Sequence, residues 1–254
     1  MAHLSLPSFP PRHALQGPLA LAELALPAGL RIGVLAPHPD DFDAIAVTLR
    51  HFHARGDSIQ LAVLTGGASG VEDGFAGAHS DAEKTALRKR EQLASCALFG
   101  LPSTHVRFLE LPADEKGNPR LDAANHDTIR HWLLTHQPQL VFMPHGNDSN
   151  VTHQRTYALF RQVVLAEKLS VWAVLNQDAK TIAMRHDLYT GFDADEAAWK
   201  SALLRLHDSQ HQRNLNTRGH GFDERVLAVN QDSAKNLGLS ARYAEVFELE
   251  VFPQ

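Results

Sequence analysis

Short apolar runs alternate with longer amphipathic stretches through the first two thirds of the chain. Residues 31–36, 59–64, 106–109, 140–143 and 170–175 are each long enough for one buried strand. Between them, residues 44–53, 81–99, 122–135 and 153–168 space their apolar positions at helical intervals, and Gly100 stands where the second of these helices needs a C-cap. This alternation predicts an α/β fold built on a mostly parallel sheet with helices on both faces. After residue 176 the rhythm weakens. The pattern there predicts an edge strand over 181–189, a helix over 195–207, a polar loop over 208–221, a helix over 224–237 and a final strand over 243–251. No linker and no internal repeat interrupts the chain, so residues 31–254 read as a single domain. Residues 1–30, rich in Pro and Leu, read as an N-terminal arm packed on its surface rather than a signal peptide, because Glu23 breaks the apolar stretch and no positive run precedes it.

Composition narrows the partners. With 44% hydrophobic and 21% charged residues the chain has an ordinary soluble globular make-up. A net charge of −5 without a basic cluster argues against nucleic acid. No segment approaches the roughly 20 apolar residues of a membrane-spanning helix. The single cysteine, Cys96, excludes an internal disulfide and lies in an apolar helical pattern, which marks a buried, inert thiol. That usage fits a cytoplasmic location.

Chemistry gathers at the end of the first strand. The run Ile32 to Ala36 stops at Pro37, and His38, Asp40 and Asp41 follow within four residues. A parallel strand delivers its C-terminal loop to the crevice where open α/β sheets bind ligands. Side chains able to ligate a metal make poor core there. The plainer reading is a capped turn, since Asp is a favoured residue ahead of a helix.

The stretch Pro37-His38-Pro39-Asp40-Asp41-Phe42 resembles the A-H-P-D-D-E motif of the PIG-L/LmbE-like zinc-dependent N-deacetylases, with Pro37 for Ala and Phe42 for Glu. Their second motif, H-P-D-H, corresponds to Asn150-Val151-Thr152-His153. Arg88 to Glu91, Leu111 to Asp114, Lys200 to Gln210 and Tyr243 to Phe247 resemble later family motifs in the same order.

This resemblance implies a Rossmann-like fold. It also implies a Zn2+ ion held by His38, Asp41 and His153, with Asp40 as general acid/base. Asn150 stands where the family has a histidine; it can donate a hydrogen bond to an oxyanion but cannot carry a proton near neutral pH, and it reads equally well as a turn residue. Asp148 and His145 lie in the same loop and read as structural, with part of that missing role open to them. The implied reaction is removal of an N-acyl group, foremost acetyl, from an N-acetylglucosamine-type amino sugar or glycoconjugate, by a protein for which a homo-oligomer is open.

Several residues have plainer readings. Gly66, Gly67 and Gly70 read as turn formers, Arg88 and Glu91 as an intrahelical or helix–loop ion pair, and His207 as a solvated helix end. Two rival functions remain. Asp41-Phe42-Asp43 imitates the D-x-D of haloacid-dehalogenase-like phosphatases, though residues 37–40 separate it from its strand. A degenerate, non-catalytic homologue is the other, favoured by the altered second motif.

Overall fold

The computed structural model describes residues 17–252. Eight strands form one sheet: β1 (Leu19–Ala20), β2 (Arg31–Ala36), β3 (Ser58–Val63), β4 (Val106–Phe108), β5 (Leu140–Pro144), β6 (Val171–Asn176), β7 (Leu188–Phe192) and β8 (Tyr243–Phe252). Their spatial order is β1-β7-β8-β6-β5-β2-β3-β4. Five consecutive neighbours, β4 through β6 across the sheet, pair in parallel, and β8 alone runs antiparallel to both of its neighbours. The order reverses between β2 and β5. The chain moves outward from β2 to β3 and β4, then returns to place β5 on the other side of β2. Such a switch point opens a crevice beyond the strand ends.

Seven α-helices lie among the described residues: α1 (Ala46–Ala54), α2 (Asp81–Phe99), α3 (Ala123–His136), α4 (Val151–Ala166), α5 (Ala194–Arg205), α6 (Asp208–Arg218) and α7 (Phe222–Asn236). Alternate residues of the strands feed two cores. Ile32, Val34 and Ala36 of β2 pack with Leu49 and Phe52 of α1, Phe99 of α2 and Leu203 of α5. Leu35 faces the other way, with Val141 and Met143 of β5, and packs with Trp132 of α3 and Phe160 of α4. β5 and β6 are buried along their whole length, as sheet strands covered on both faces must be.

α2 has the limits its sequence predicts. Ser80 and Glu83 form a reciprocal capping box at its start, and Gly100 ends it at φ 95°, a conformation that costs a glycine little.

Three expectations are corrected. The segment 208–221 is mostly helix, α6, rather than loop. Its composition is polar on every side, so periodicity does not reveal it; long-range bonds hold it, with Ser209 donating from both N–H and Oγ to Glu91 at 2.7 Å. The strand expected over 181–189 begins only at Leu188 and lies between β1 and β8, not at an edge. Finally, the described part of the N-terminal arm does more than lie on the surface: Leu19 and Ala20 add a strand beside β7, and Leu21 and Leu30 are buried in the main core.

A buried ion pair ties the last strand to the first helix. Lys200 of α5 lies 2.7 Å from Glu245 of β8, both buried, and Lys200 also donates to Ala44 O and Asn230 Oδ1. The two oxygens of Glu245 accept the N–H groups of Val47 and Thr48 at the start of α1, where a helix has unpaired donors. Burial pushes the Lys200 ammonium down, with Glu245 opposing it. Removing one partner leaves a charge in the core. Glu245→Ala is therefore expected to destabilise the fold by about 3–5 kcal/mol in urea unfolding, while Lys200→Met combined with Glu245→Leu recovers much of that loss. Equal stability of the wild type and Glu245→Ala would contradict the assignment.

Candidate metal centre at the β2–β5 switch point

The loop after β2 turns sharply. Asp41 Oδ2 accepts the His38 backbone N–H at 2.7 Å and lies 3.2 Å from His38 Nδ1, so the two side chains face each other across one turn. Asp40 takes φ 113°, left-handed backbone that a non-glycine residue holds only under local constraint. The constraint is visible: Gln92 of α2 accepts the Asp40 N–H at 2.9 Å, and Arg88 Nη2 reaches Asp40 Oδ2 at 2.6 Å and the carbonyl of Pro39. Arg88 also donates to the carbonyl of Gly67 at 3.1 Å. A Cβ at Gly67, itself at φ 61°, would collide with the Arg88 guanidinium. The glycine is needed for that close approach as well as for its turn.

From the other side of the switch point, α4 brings His153 in. Its Nε2 lies 3.6 Å from Asp41 Oδ1, and its ring centroid lies 5.5 Å from that of His38. One ligand atom from each of His38, Asp41 and His153 falls within 4.8 Å of the others, a set of two imidazoles and a carboxylate able to hold a divalent cation. Asp148, without exposure, faces His153 Nδ1 at 3.2 Å. A carboxylate behind a ligating imidazole orients the ring and leaves its other nitrogen for the metal. A second acid, Asp178 at the end of β6, lies 3.9 Å from the same Nδ1.

Electrostatics follow from this geometry. Burial pushes the Asp41 carboxyl up, but the charge of His153 and the hydrogen bonds of His38 outweigh it and hold Asp41 well below the usual carboxylate range. Burial pushes the His153 imidazole down, but Asp41 and the Asp148 hydrogen bond raise it to about 9. Asp40 moves upward: burial raises it, Arg88 opposes, and Asp41 adds to the rise.

The other expected residues fall in different places. Asn150 is the N-cap of α4, its Oδ1 accepting the Thr152 N–H at 3.0 Å, and it lines the cleft. His145 lies 3.3 Å from Glu248 and does not line the cleft. Arg88 and Glu91 do not pair with each other; Arg88 pairs with Asp40 across a helix–loop contact, and Glu91 anchors Ser209. His207 is fully buried instead of solvated, with Nε2 at 2.5 Å from Asp43, whose other oxygen accepts from Ser95 Oγ. Gln92, Asp178 and the role of Asp148 behind His153 escape sequence reading, since each depends on a partner distant along the chain. The cleft above the site has a volume of about 1000 Å³ and reaches from the glycine loop after β3 to α6 and α7.

Two loops of an open α/β sheet thus converge on a candidate divalent-cation site with a carboxylate, Asp40, held beside it. The PIG-L (GlcNAc-PI de-N-acetylase) family matches residues 34–164, just over half of the chain, a span that contains His38, Asp40, Asp41, Asp148 and His153, and the chain belongs to that family. Among curated proteins none matches the chain in sequence. Its fold is similar to that of N,N'-diacetylchitobiose deacetylase from Pyrococcus horikoshii, with a TM-score of 0.71 and 18% identity over 87% of this chain and 83% of that one. It is similar also to the zinc-inhibited form of the teicoplanin deacetylase Orf2, with a TM-score of 0.65 and 15% identity over 88% and 99% of the two chains. GalB, the 4-carboxy-2-hydroxymuconate hydratase from Pseudomonas putida KT2440, shares the fold too, with a TM-score of 0.62 and 17% identity over 88% and 96%.

A cation that binds here must displace the proton carried by His153 in the metal-free protein. Its affinity is expected to rise about tenfold per pH unit up to about 9 and to level off above that. Calorimetric titration with zinc in buffers of different ionisation heat checks this; a flat affinity between neutral pH and about 9 would contradict the raised proton affinity of His153.

Proposed function

We propose that the protein is a zinc-dependent N-deacetylase acting on an N-acetylated amino sugar or its conjugate. The observation that carries this reading is the meeting of His38, Asp41 and His153 within 4.8 Å, with Asp40 adjacent in the same turn. Family membership supports deacetylation; fold similarity alone does not, because the same architecture also houses a hydratase. The residues fit a zinc ion. Two imidazoles and a carboxylate are three protein ligands, the number typical of a catalytic site that keeps one position open.

Bound zinc supplies a water whose pKa falls to about 7 and a Lewis acid for the acyl oxygen. The remaining work belongs to the chain. Asp40 is the general base. Arg88 and the Gln92 contact fix its position, and burial raises its affinity for a proton toward the working pH, where a base is most effective. The same carboxyl, once protonated, hands the proton to the leaving amine. Asn150 spends Oδ1 on the helix cap, so its amide nitrogen is what it can offer to an oxyanion. Asp148 keeps His153 oriented.

The phosphatase reading loses its footing in the structure. A D-x-D pair needs both carboxyl groups open to the substrate, whereas Asp43 has no exposure, does not line the cleft and is committed to His207, Ser95 and Gln92. A degenerate homologue would keep the fold and bind no metal stoichiometrically.

Assay of wild-type and Asp40→Asn proteins on N-acetylated sugars, with released acetate and bound zinc both measured, separates these cases. Asp40→Asn is expected to lower kcat by about 10²- to 10⁴-fold with zinc retained. Undiminished activity would remove Asp40 as the base, and a wild-type protein without stoichiometric zinc would favour the degenerate homologue.

A further inference from the structure

The cleft has a wall that the site chemistry does not use. α6 and α7 present Arg213, Arg218 and Arg225 to it, and among the described residues none of these guanidinium groups has an ion-pair or hydrogen-bond partner. Of the other cations near the site, Arg88 holds Asp40, Lys89 holds Glu110 and Arg155 holds Asp114, while Lys116 and Lys180 line the cleft from the loops after β4 and β6. The carboxylates that line the cleft belong to other elements. They are Asp40 and Asp41 in the ligand loop, Asp81 at the start of α2, Glu110 and Glu115 after β4, and Asp178 after β6. None comes within ion-pair reach of the three arginines.

Arg225 is half-buried, and burial together with repulsion from Arg218 and Arg213 makes its charge harder to keep, with Asp178 and Asp40 opposing. Arg213 and Arg218 are exposed to water, so the cost of an unpaired charge falls on Arg225. A planar guanidinium fork matches a carboxylate or phosphate. Phe222, Val226 and Val229 share the cleft-facing side of α7 with Arg225, so an apolar or ring-like surface would lie against the helix beside the bound anion. α6 is tied to the glycine loop by Gln210, which donates to Gly70 O at 2.9 Å, and this holds the arginine wall over the same space as the ligand residues.

We propose that the substrate carries, besides its N-acyl group, an anionic group, a carboxylate or a phosphate ester, received by Arg213, Arg218 and Arg225. The proposal rests on the deacetylase reading and names the substrate class of that site. The residues that define it lie after position 164, outside the span matched by the family.

Equilibrium binding to zinc-loaded Asp40→Asn protein tests it without turnover. Three probes serve: methyl N-acetylglucosaminide, its carboxymethyl counterpart, and N-acetylglucosamine 1-phosphate. At least one anionic probe is expected to bind about 10- to 100-fold more tightly than the methyl glycoside, the range of one or two charge-assisted hydrogen bonds. The tighter of the two names the anion. In Arg225→Gln, and separately in the exposed pair Arg213→Gln with Arg218→Gln, that preference is expected to shrink toward unity. Equal binding of neutral and anionic probes would overturn the proposal, and so would a preference that survives both sets of substitutions. Failure of the wild type to release acetate from any of the three would instead strike the deacetylase reading, because the binding preference is measured independently of cleavage.

Discussion

The site depends on a topological constraint. His38 and His153 belong to loops far apart along the chain, and they meet only because β2 and β5 are hydrogen-bonded neighbours running the same way. At that junction the loops diverge to opposite faces of the sheet and leave a crevice at the strand ends. Asp41 spans the crevice. One oxygen is held by the His38 backbone and ring, and the other looks toward His153. Two imidazoles and a carboxylate so placed form a donor set that suits a divalent cation, and make this the candidate site for one.

Around this point buried polar groups stiffen the structure. Arg88, Gln92, Ser95 and Glu91 of α2 are all buried, and they reach the ligand loop, Asp43 and Ser209. On the far side Lys200 and Glu245 clamp the start of α1. Each member bonds to another residue, with Arg88 Nε alone among them left without a partner, and the network restrains the turn bearing His38, Asp40 and Asp41. The positive φ of Asp40 is sustained by those bonds and aims its carboxyl beside the ligands.

Much of this was legible in the sequence where the signal is local. The five parallel strands, the limits of α2 and the His38-Pro39-Asp40-Asp41 turn follow from short-range patterns: apolar runs, helical spacing closed by a glycine C-cap and a strand that stops at proline. His153 was identified by its place at the head of a helix after a strand, together with the family motif. The features that sequence hid are those whose cause is a distant partner. α6 shows no apolar face, so only Glu91 and the burial of Gln210 and Asn214 explain it. His207 looks like a polar helix end until Asp43 is found against it. Arg88 and Glu91 sit three residues apart and suggest each other, whereas they serve two different loops. Register across the sheet, rather than propensity, places β7.

The central claim is that one divalent cation is shared by His38, Asp41 and His153. Anomalous diffraction at the zinc absorption edge from zinc-loaded crystals tests it most directly. The account predicts one strong peak about 2.0–2.2 Å from a nitrogen of each histidine and an oxygen of Asp41. A peak confined to Asp148 and Asp178, or none at the β2–β5 crevice, would contradict it.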